Sequence, residues 1–231
     1  MTSFLPADDD ERQALRGYLT RLLALDTRAS VRLQAAGMVL GVWGGPPMDV
    51  VTLRPVALAA PTDPLGAAGS LEAFDATVSA ARFLDRLDVG TGQPGDVGPI
   101  ELPAPVPGPA WAGLLPPRSG WESLATVPAG AVHDAVRVGV DAFGRRVDLI
   151  PEDQRSRAQL DAIAAEVWGR PVVAGVPLRA AHAAELVGLL GREGEVTALS
   201  NGSWRRLACP GGSVALRTGG SATGALDLFA L

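Results

Sequence analysis

Between Gly90 and Pro117 the chain carries eight prolines and six glycines in 28 residues, with only Asp96 and Glu101 charged. Proline removes a backbone donor and forces the residue before it out of helical geometry, so no regular helix can cross this stretch. The chain must therefore be built as separate blocks on either side of a strap. Ile100, Leu102, Val106, Trp111, Leu114 and Leu115 are too many apolar groups for a solvated tether, so part of the strap is expected to lie ordered on a surface. This divides the chain into residues 1–89, an N-terminal α+β unit, residues 90–127, the strap, and residues 128–231, a helical section with its own antiparallel β unit.

The N-terminal block reads as a helix followed by strands. Asp8 stands three residues before Glu11, the spacing of a capping box, and Leu15, Leu19 and Leu22 then recur on one face. Ser30 to Ala35 alternates, Met38 to Trp43 is more continuously apolar, and Met48 to Leu58 is extended with a stop or bend expected at Pro55. The connections are too short for parallel crossovers, so an antiparallel meander is expected. Ser70 then opens a second expected helix over residues 71–87, with Phe74, Val78, Ala81 and Leu84 or Leu87 inward.

The C-terminal block reads as helices followed by strands. Helices are expected over 128–146, with Val132, Val136, Val140 and Phe143 inward, over 156–168, and over 178–190. Strands follow at 195–199, 203–208 and 213–217, separated by Asn201-Gly202 and Pro210-Gly211-Gly212 turns. Both blocks then run in the order helix, valine-containing strand, tryptophan-containing strand, Gly/Pro turn, and a strand ending in Leu-Arg. The expected fold class is α+β: two helix-plus-antiparallel-meander units, a divergent duplication being one origin, joined by the Pro/Gly-rich strap and helices.

Composition narrows the chemistry. All 20 basic residues are arginine, so lysine Schiff-base chemistry and a Walker-type loop are excluded, and the Ala/Gly/Pro-rich usage fits a GC-rich bacterial genome. The net charge of −5 argues against a chain built mainly to hold nucleic acid or an anionic membrane. One cysteine and two histidines do not make a classical zinc site or an internal disulfide. No metal and no cofactor are expected. The acidic start and the short apolar runs give no secretory signal and no membrane span, which points to a soluble, cytoplasmic protein.

The candidate residues follow from these limits. Leu115 to Glu122 joins a stiff double proline to Arg118, Ser119, Gly120 and Trp121, a pattern able to hold a small anion or to anchor the loop. Trp111, Arg118, Ser119, Trp121, His133 and Arg137 are the candidate ligand or interface residues. His133, Arg137 and Asp141 share a helix face by their spacing of four, and His182 lies on an apolar face with Glu185 near enough to pair with it. The last two helices followed by a hairpin with Arg205 and Arg206 also fit a winged-helix order, with Arg179, His182, Arg205 and Arg206 as candidate nucleic-acid contacts. Residues 153–231 hold eight arginines against seven acids, too balanced for a typical DNA reader, so nucleic acid is an unlikely partner.

No strong catalytic motif is present. The preferred reading is a noncatalytic adaptor or structural protein that associates with itself, as a homodimer, or with another protein. The alternatives are an enzyme with a nonlocal Arg/His/carboxylate site and the winged-helix-like nucleic-acid binder.

Overall fold

The structure, a computed structural model, describes residues 2–59, 74–88 and 98–218. It is α+β and divides into two compact units, residues 1–46 with 51–115 and residues 47–50 with 116–231.

In the first unit, β1 (Ser3–Phe4) leads to α1 (Asp9–Leu25). The helix starts where expected: the Asp8 carboxylate accepts from the Glu11 amide at 2.8 Å, and three acids occupy the first turn, where the helix dipole favours them. Leu15, Tyr18, Leu19 and Leu22 form its buried face. The meander is β2 (Ser30–Ala36), β3 (Val39–Gly44) and β4 (Val51–Ala57), antiparallel throughout. Val31, Leu33, Leu40 and Val42 are fully buried on one side of it.

The expected bend at Pro55 does not occur. The strand runs through to Ala57 with Pro55 opposite Gly41, a residue with no side chain to crowd the ring. The second expected helix is also corrected. Ser70 and the first residues of that stretch lie outside the described residues, and Asp75–Ser79 is a strand, β5, paired antiparallel with β2. Thr77 and Val78 are β-branched and suit a strand, and pairing with β2 outweighs the helical spacing of the apolar residues. Helix α2 (Ala80–Asp88) starts only afterwards and buries Ala80, Phe83 and Leu87, with Ala81 and Leu84 less covered. The sheet order is β5-β2-β3-β4, and α1 packs against α2 and β4.

The proline-rich stretch completes this unit. β6 (Ile100–Glu101) pairs with β1, and Phe4 meets Phe83 edge-to-face at 5.9 Å. The Val106 amide donates to the Thr77 carbonyl at 2.8 Å, so the stretch borders β5. A 3-10 turn at Ala110–Gly113 seats Trp111 against Gly45, where a β-carbon would lie 2.5 Å from the indole nitrogen.

The second unit begins with β7 (Glu122–Pro128), which runs directly into α3 (Ala129–Asp148). α4 (Arg157–Trp168) has a full capping box from Ser156 and Gln159. A hairpin follows, β8 (Pro171–Val173) and β9 (Val176–Pro177), turned by Ala174 at φ 44° and Gly175 at φ 81°. α5 (Leu178–Leu186) is shorter than its periodicity implied and stops before Gly188 at φ 76°. The last meander is β10 (Glu195–Asn201), β11 (Trp204–Cys209) and β12 (Gly212–Arg217), in the sheet order β12-β11-β10-β7. Residues 225–231, an expected last strand or fold-back, lie outside the described residues.

The face of α3 also differs from expectation. Ala129, Val132, Val136 and Gly139 are buried, whereas Val140 is 46% exposed. At Gly139 a β-carbon would come within 2.5 Å of Leu178 and 3.2 Å of Trp168, so the absent side chain lets neighbouring groups fill the stripe.

The two units share an architecture with the halves exchanged. The first runs helix–meander (α1, β2, β3, β4) and then strand–helix (β5, α2). The second runs strand–helix (β7, α3) and later helix–meander (α5, β10, β11, β12). In each, the added strand pairs antiparallel with the first strand of the meander, and the helix after it packs against the meander's helix.

Candidate functional site

The stretch singled out in sequence, Pro116 to Trp121, folds back on itself before β7. The Trp121 indole N–H donates to the Pro117 carbonyl at 2.8 Å, and Gly120 takes φ 77°, a left-handed conformation that glycine adopts without strain. Asn201, at the end of β10, donates from Nδ2 to the Ser119 carbonyl at 2.8 Å. The loop is thus pinned at both ends, by its own tryptophan and by a side chain from the distant meander.

Arg206 completes this arrangement. Its guanidinium carbon lies 4.1 Å from the Trp121 ring centroid, a close cation–π stack. The face follows from register. Ala198, Leu207 and Val214 stand opposite one another on adjacent strands and are fully buried. Alternation along β11 then sends Arg206 to the other face, with Trp204. Arg217 stands opposite Trp204, and its guanidinium carbon is 6.0 Å from that ring. Two tryptophans and two arginines therefore lie on one face of this sheet.

Arg206 is half-buried, and its Nε is fully buried with no hydrogen-bond partner among the described residues. Burial pulls its pKa below the usual arginine value, yet a guanidinium stays charged in proteins, so the desolvation cost is not relieved by losing a proton. Arg118, one of the candidate ligand or interface residues, is exposed. Arg205 is turned the other way, its Nη1 donating to the carbonyls of Gly202 (3.1 Å) and Trp204 (3.0 Å).

The structure does not form a two-helix-plus-wing tail. Arg205 and Arg206 sit on β11, which is paired on both sides, and a hairpin separates α4 from α5. A strand flanked by two others cannot project as a wing. Arg179 lies on α5, where its Nε is buried and unpartnered.

The histidines take different roles. His133 Nε2 is 2.6 Å from the Gly191 carbonyl, and its Nδ1 is 3.3 Å from a Glu185 carboxylate oxygen. Both partners are acceptors, so both bonds are made together only by the imidazolium. Arg137 instead pairs with Asp134 at 3.1 Å on an exposed turn of α3. The sequence placed Glu185 beside His182, but Glu185 bonds His133, and His182 stacks flat on Trp168 at 4.4 Å. Burial lowers the His182 pKa, with Glu185 partly opposing, and Nδ1 is left without a partner.

Trp111 belongs to the first unit, so the structure does not place it and Trp121 in one compact unit. Cys209 is half-buried, burial pushes its thiol up to about 12, and Sγ lies 3.8 Å from the Leu207 carbonyl. That environment disfavours the thiolate. Among the described residues no group of three or more His, Cys, Asp or Glu is placed to hold a metal ion. No helix among them is long and apolar enough to cross a membrane.

The Trp204–Arg217 pair and the Gly191 carbonyl were not legible in sequence. The former is set by strand register and the latter by a loop folding onto α3.

Two family models match consecutive parts of the chain. Residues 1–113 match one described as "Domain of unknown function (DUF8010)", and residues 116–221 match "Domain of unknown function (DUF8185)". Their boundary coincides with the division into two units at residues 115 and 116. No curated protein matches the sequence. Among solved structures, a DNA polymerase sliding clamp from Pseudomonas aeruginosa with ligand has a similar fold. The two are 13% identical with a TM-score of 0.50, over 93% of this chain and 64% of that one. A sliding clamp from Caulobacter crescentus is 12% identical with a TM-score of 0.49, over 94% of this chain and 65% of that one. The chain therefore spans less than two thirds of the length of these clamps.

Proposed function

We propose that this chain is a noncatalytic scaffold for protein–protein association and that it pairs with a second copy of itself through β7. The reading rests first on β7 itself. Among the described residues, this strand of seven residues is paired on one side only, with β10, and most of its residues are exposed. Leu124 is 44% exposed beside a register shift opposite Ala198 and Leu199. An edge with unpaired amides and carbonyls is a template for a further strand, and its one charge, Glu122, offers little protection. Likeness in fold to a protein named a DNA polymerase sliding clamp adds support for an association role.

A nucleic-acid role has less support. The outward residues of α3 alternate in sign, with Asp134, Arg137, Asp141, Arg145 and Asp148 all exposed, and do not form a positive field. In this reading the protein works in the bacterial cytoplasm, without metal or cofactor.

Sedimentation velocity over about a hundredfold range of concentration tests the reading, because self-association follows mass action. The wild-type protein should sediment as a dimer at the upper end. Leu124→Lys should shift it to monomer while leaving its circular dichroism unchanged. A wild-type protein that stays monomeric throughout would overturn the self-pairing.

A further inference from the structure

We infer that Arg206, stacked on Trp121, is the centre of a binding site for a small oxyanion, a carboxylate or a phosphate group. This goes beyond the association role and does not depend on it.

The inference starts from what surrounds the guanidinium. Directly across the strands from Arg206 stand Leu199 and Ala215, and two residues away along β11 stand Trp204 and Ala208. None of these carries a carboxylate. The next cation on the same face, Arg217, adds positive charge, although the whole chain is net acidic. The Arg206 side chain makes no hydrogen bond or ion pair among the described residues, and its buried Nε has no acceptor. Buried donors in folded proteins almost always have a partner.

Geometry then selects the ligand. The guanidinium carbon sits over the Trp121 ring, and the ring offers no hydrogen-bond acceptor in the plane of its donors. The guanidinium edge presents a rigid fork of N–H donors that matches two oxygens of a carboxylate or phosphate. The tryptophan cannot swing away freely, because its indole N–H is held by the Pro117 carbonyl and its loop by Asn201. A pinned ring gives the guanidinium a preformed platform, which lowers the cost of binding. From sequence, Arg118 on the same loop is one candidate for holding an anion. The structure leaves that residue exposed and puts an arginine from 85 positions later over the tryptophan.

The test titrates the full chain with inorganic phosphate and, separately, with acetate. Ionic strength is held constant with sodium chloride while tryptophan fluorescence is read. The wild-type protein should give a saturable change with at least one of the two. A response to phosphate alone assigns a phosphoryl ligand, and one to acetate alone a carboxylate. Arg206→Ala should weaken binding by about tenfold or more, the loss of a charge-assisted bidentate contact. Arg206→Lys keeps the charge but loses the fork and the stack, and should weaken it nearly as much. Arg118→Ala, which removes an exposed charge, should bind within about twofold of wild type. Trp121→Phe should lose most of the fluorescence signal while the ligand still raises the thermal midpoint. If Arg206→Ala does not fold, Arg206→Lys and the thermal shift carry the comparison. A wild-type response that is absent or does not saturate, or Arg206→Lys binding equal to wild type, overturns the site.

Discussion

The Tyr18 hydroxyl lies 2.7 Å from Thr52 Oγ1 inside the first unit, and both side chains are buried. Thr52 Oγ1 also lies 3.1 Å from the Gly44 carbonyl, which can only accept, so Thr52 donates there and Tyr18 donates to Thr52. This one-way chain ties α1 to β4 and then to β3. Burial raises the Tyr18 pKa, with the Thr52 bond working the other way, so the phenol stays neutral at any ordinary pH. Thr52→Val should cost about 1–3 kcal/mol, because it strands the tyrosine hydroxyl without an acceptor. Tyr18→Phe should cost less, about 1 kcal/mol, since Thr52 keeps its bond to Gly44. The double variant should be less destabilised than the sum. Urea unfolding of the four proteins measures this, and strict additivity would remove the chain.

Trp111 is an anchor of the first unit. Its indole rests on the Gly45 backbone, leaving no room for a β-carbon. Trp111→Ala should lower stability by about 2 kcal/mol through lost packing, and Gly45→Ala should do so by displacing the ring. Both should leave the sedimentation coefficient at a given concentration unchanged. A change in oligomeric state without loss of thermal stability would instead make Trp111 an interface residue.

His182 should make stability pH-dependent. Its folded pKa lies below the ordinary histidine value of about 6.5 because burial disfavours the charged ring. As pH falls through that value the unfolded chain takes up a proton that the folded chain refuses. Stability is therefore fully present at higher pH and declines on acidification, by at most about 1.4 kcal/mol per pH unit. His182→Phe keeps a ring on Trp168 and cannot titrate. Thermal midpoints from neutral to mildly acidic pH should fall less steeply in this variant. Equal slopes would show that His182 contributes nothing to the pH dependence.

His133 fastens the segment after α5 to α3 through the Gly191 carbonyl. His133→Phe removes the bond to Gly191 while keeping a ring of similar size. Amide exchange in residues 188–194 should speed up by about fivefold or more, matching the loss of about 1 kcal/mol of local bonding. Exchange in β2 and β3, in the other unit, should not change. Unaltered protection at 188–194 would mean that His133 does not hold this segment.

The parts of the fold legible in sequence are those set by neighbours a few residues apart. The Asp8 cap, the leucines of α1 and the Asn201-Gly202 turn all depend on local geometry, and each forms where the spacing implies. Residues 75–79 show the limit. Their sequence is compatible with helix, and the decision to extend comes from β2, more than 40 positions earlier. The stripe of α3 holds at Val132 and Val136 but not at Val140, because Gly139 is buried for its lack of a side chain, which no hydrophobic pattern records.

The candidate site divides along the same line. Sequence alone determined that the 116–121 loop is stiff, carries a tryptophan and ends before a structured block, since prolines and a glycine restrict the backbone whatever surrounds them. It also determined two helix-and-meander units, because periodicity and turn residues act over short range. Only the tertiary structure decided which arginine meets the tryptophan. Strand alternation gives Arg205 and Arg206 opposite faces, and the register of β11 in its sheet sends one back to its own turn and the other over Trp121.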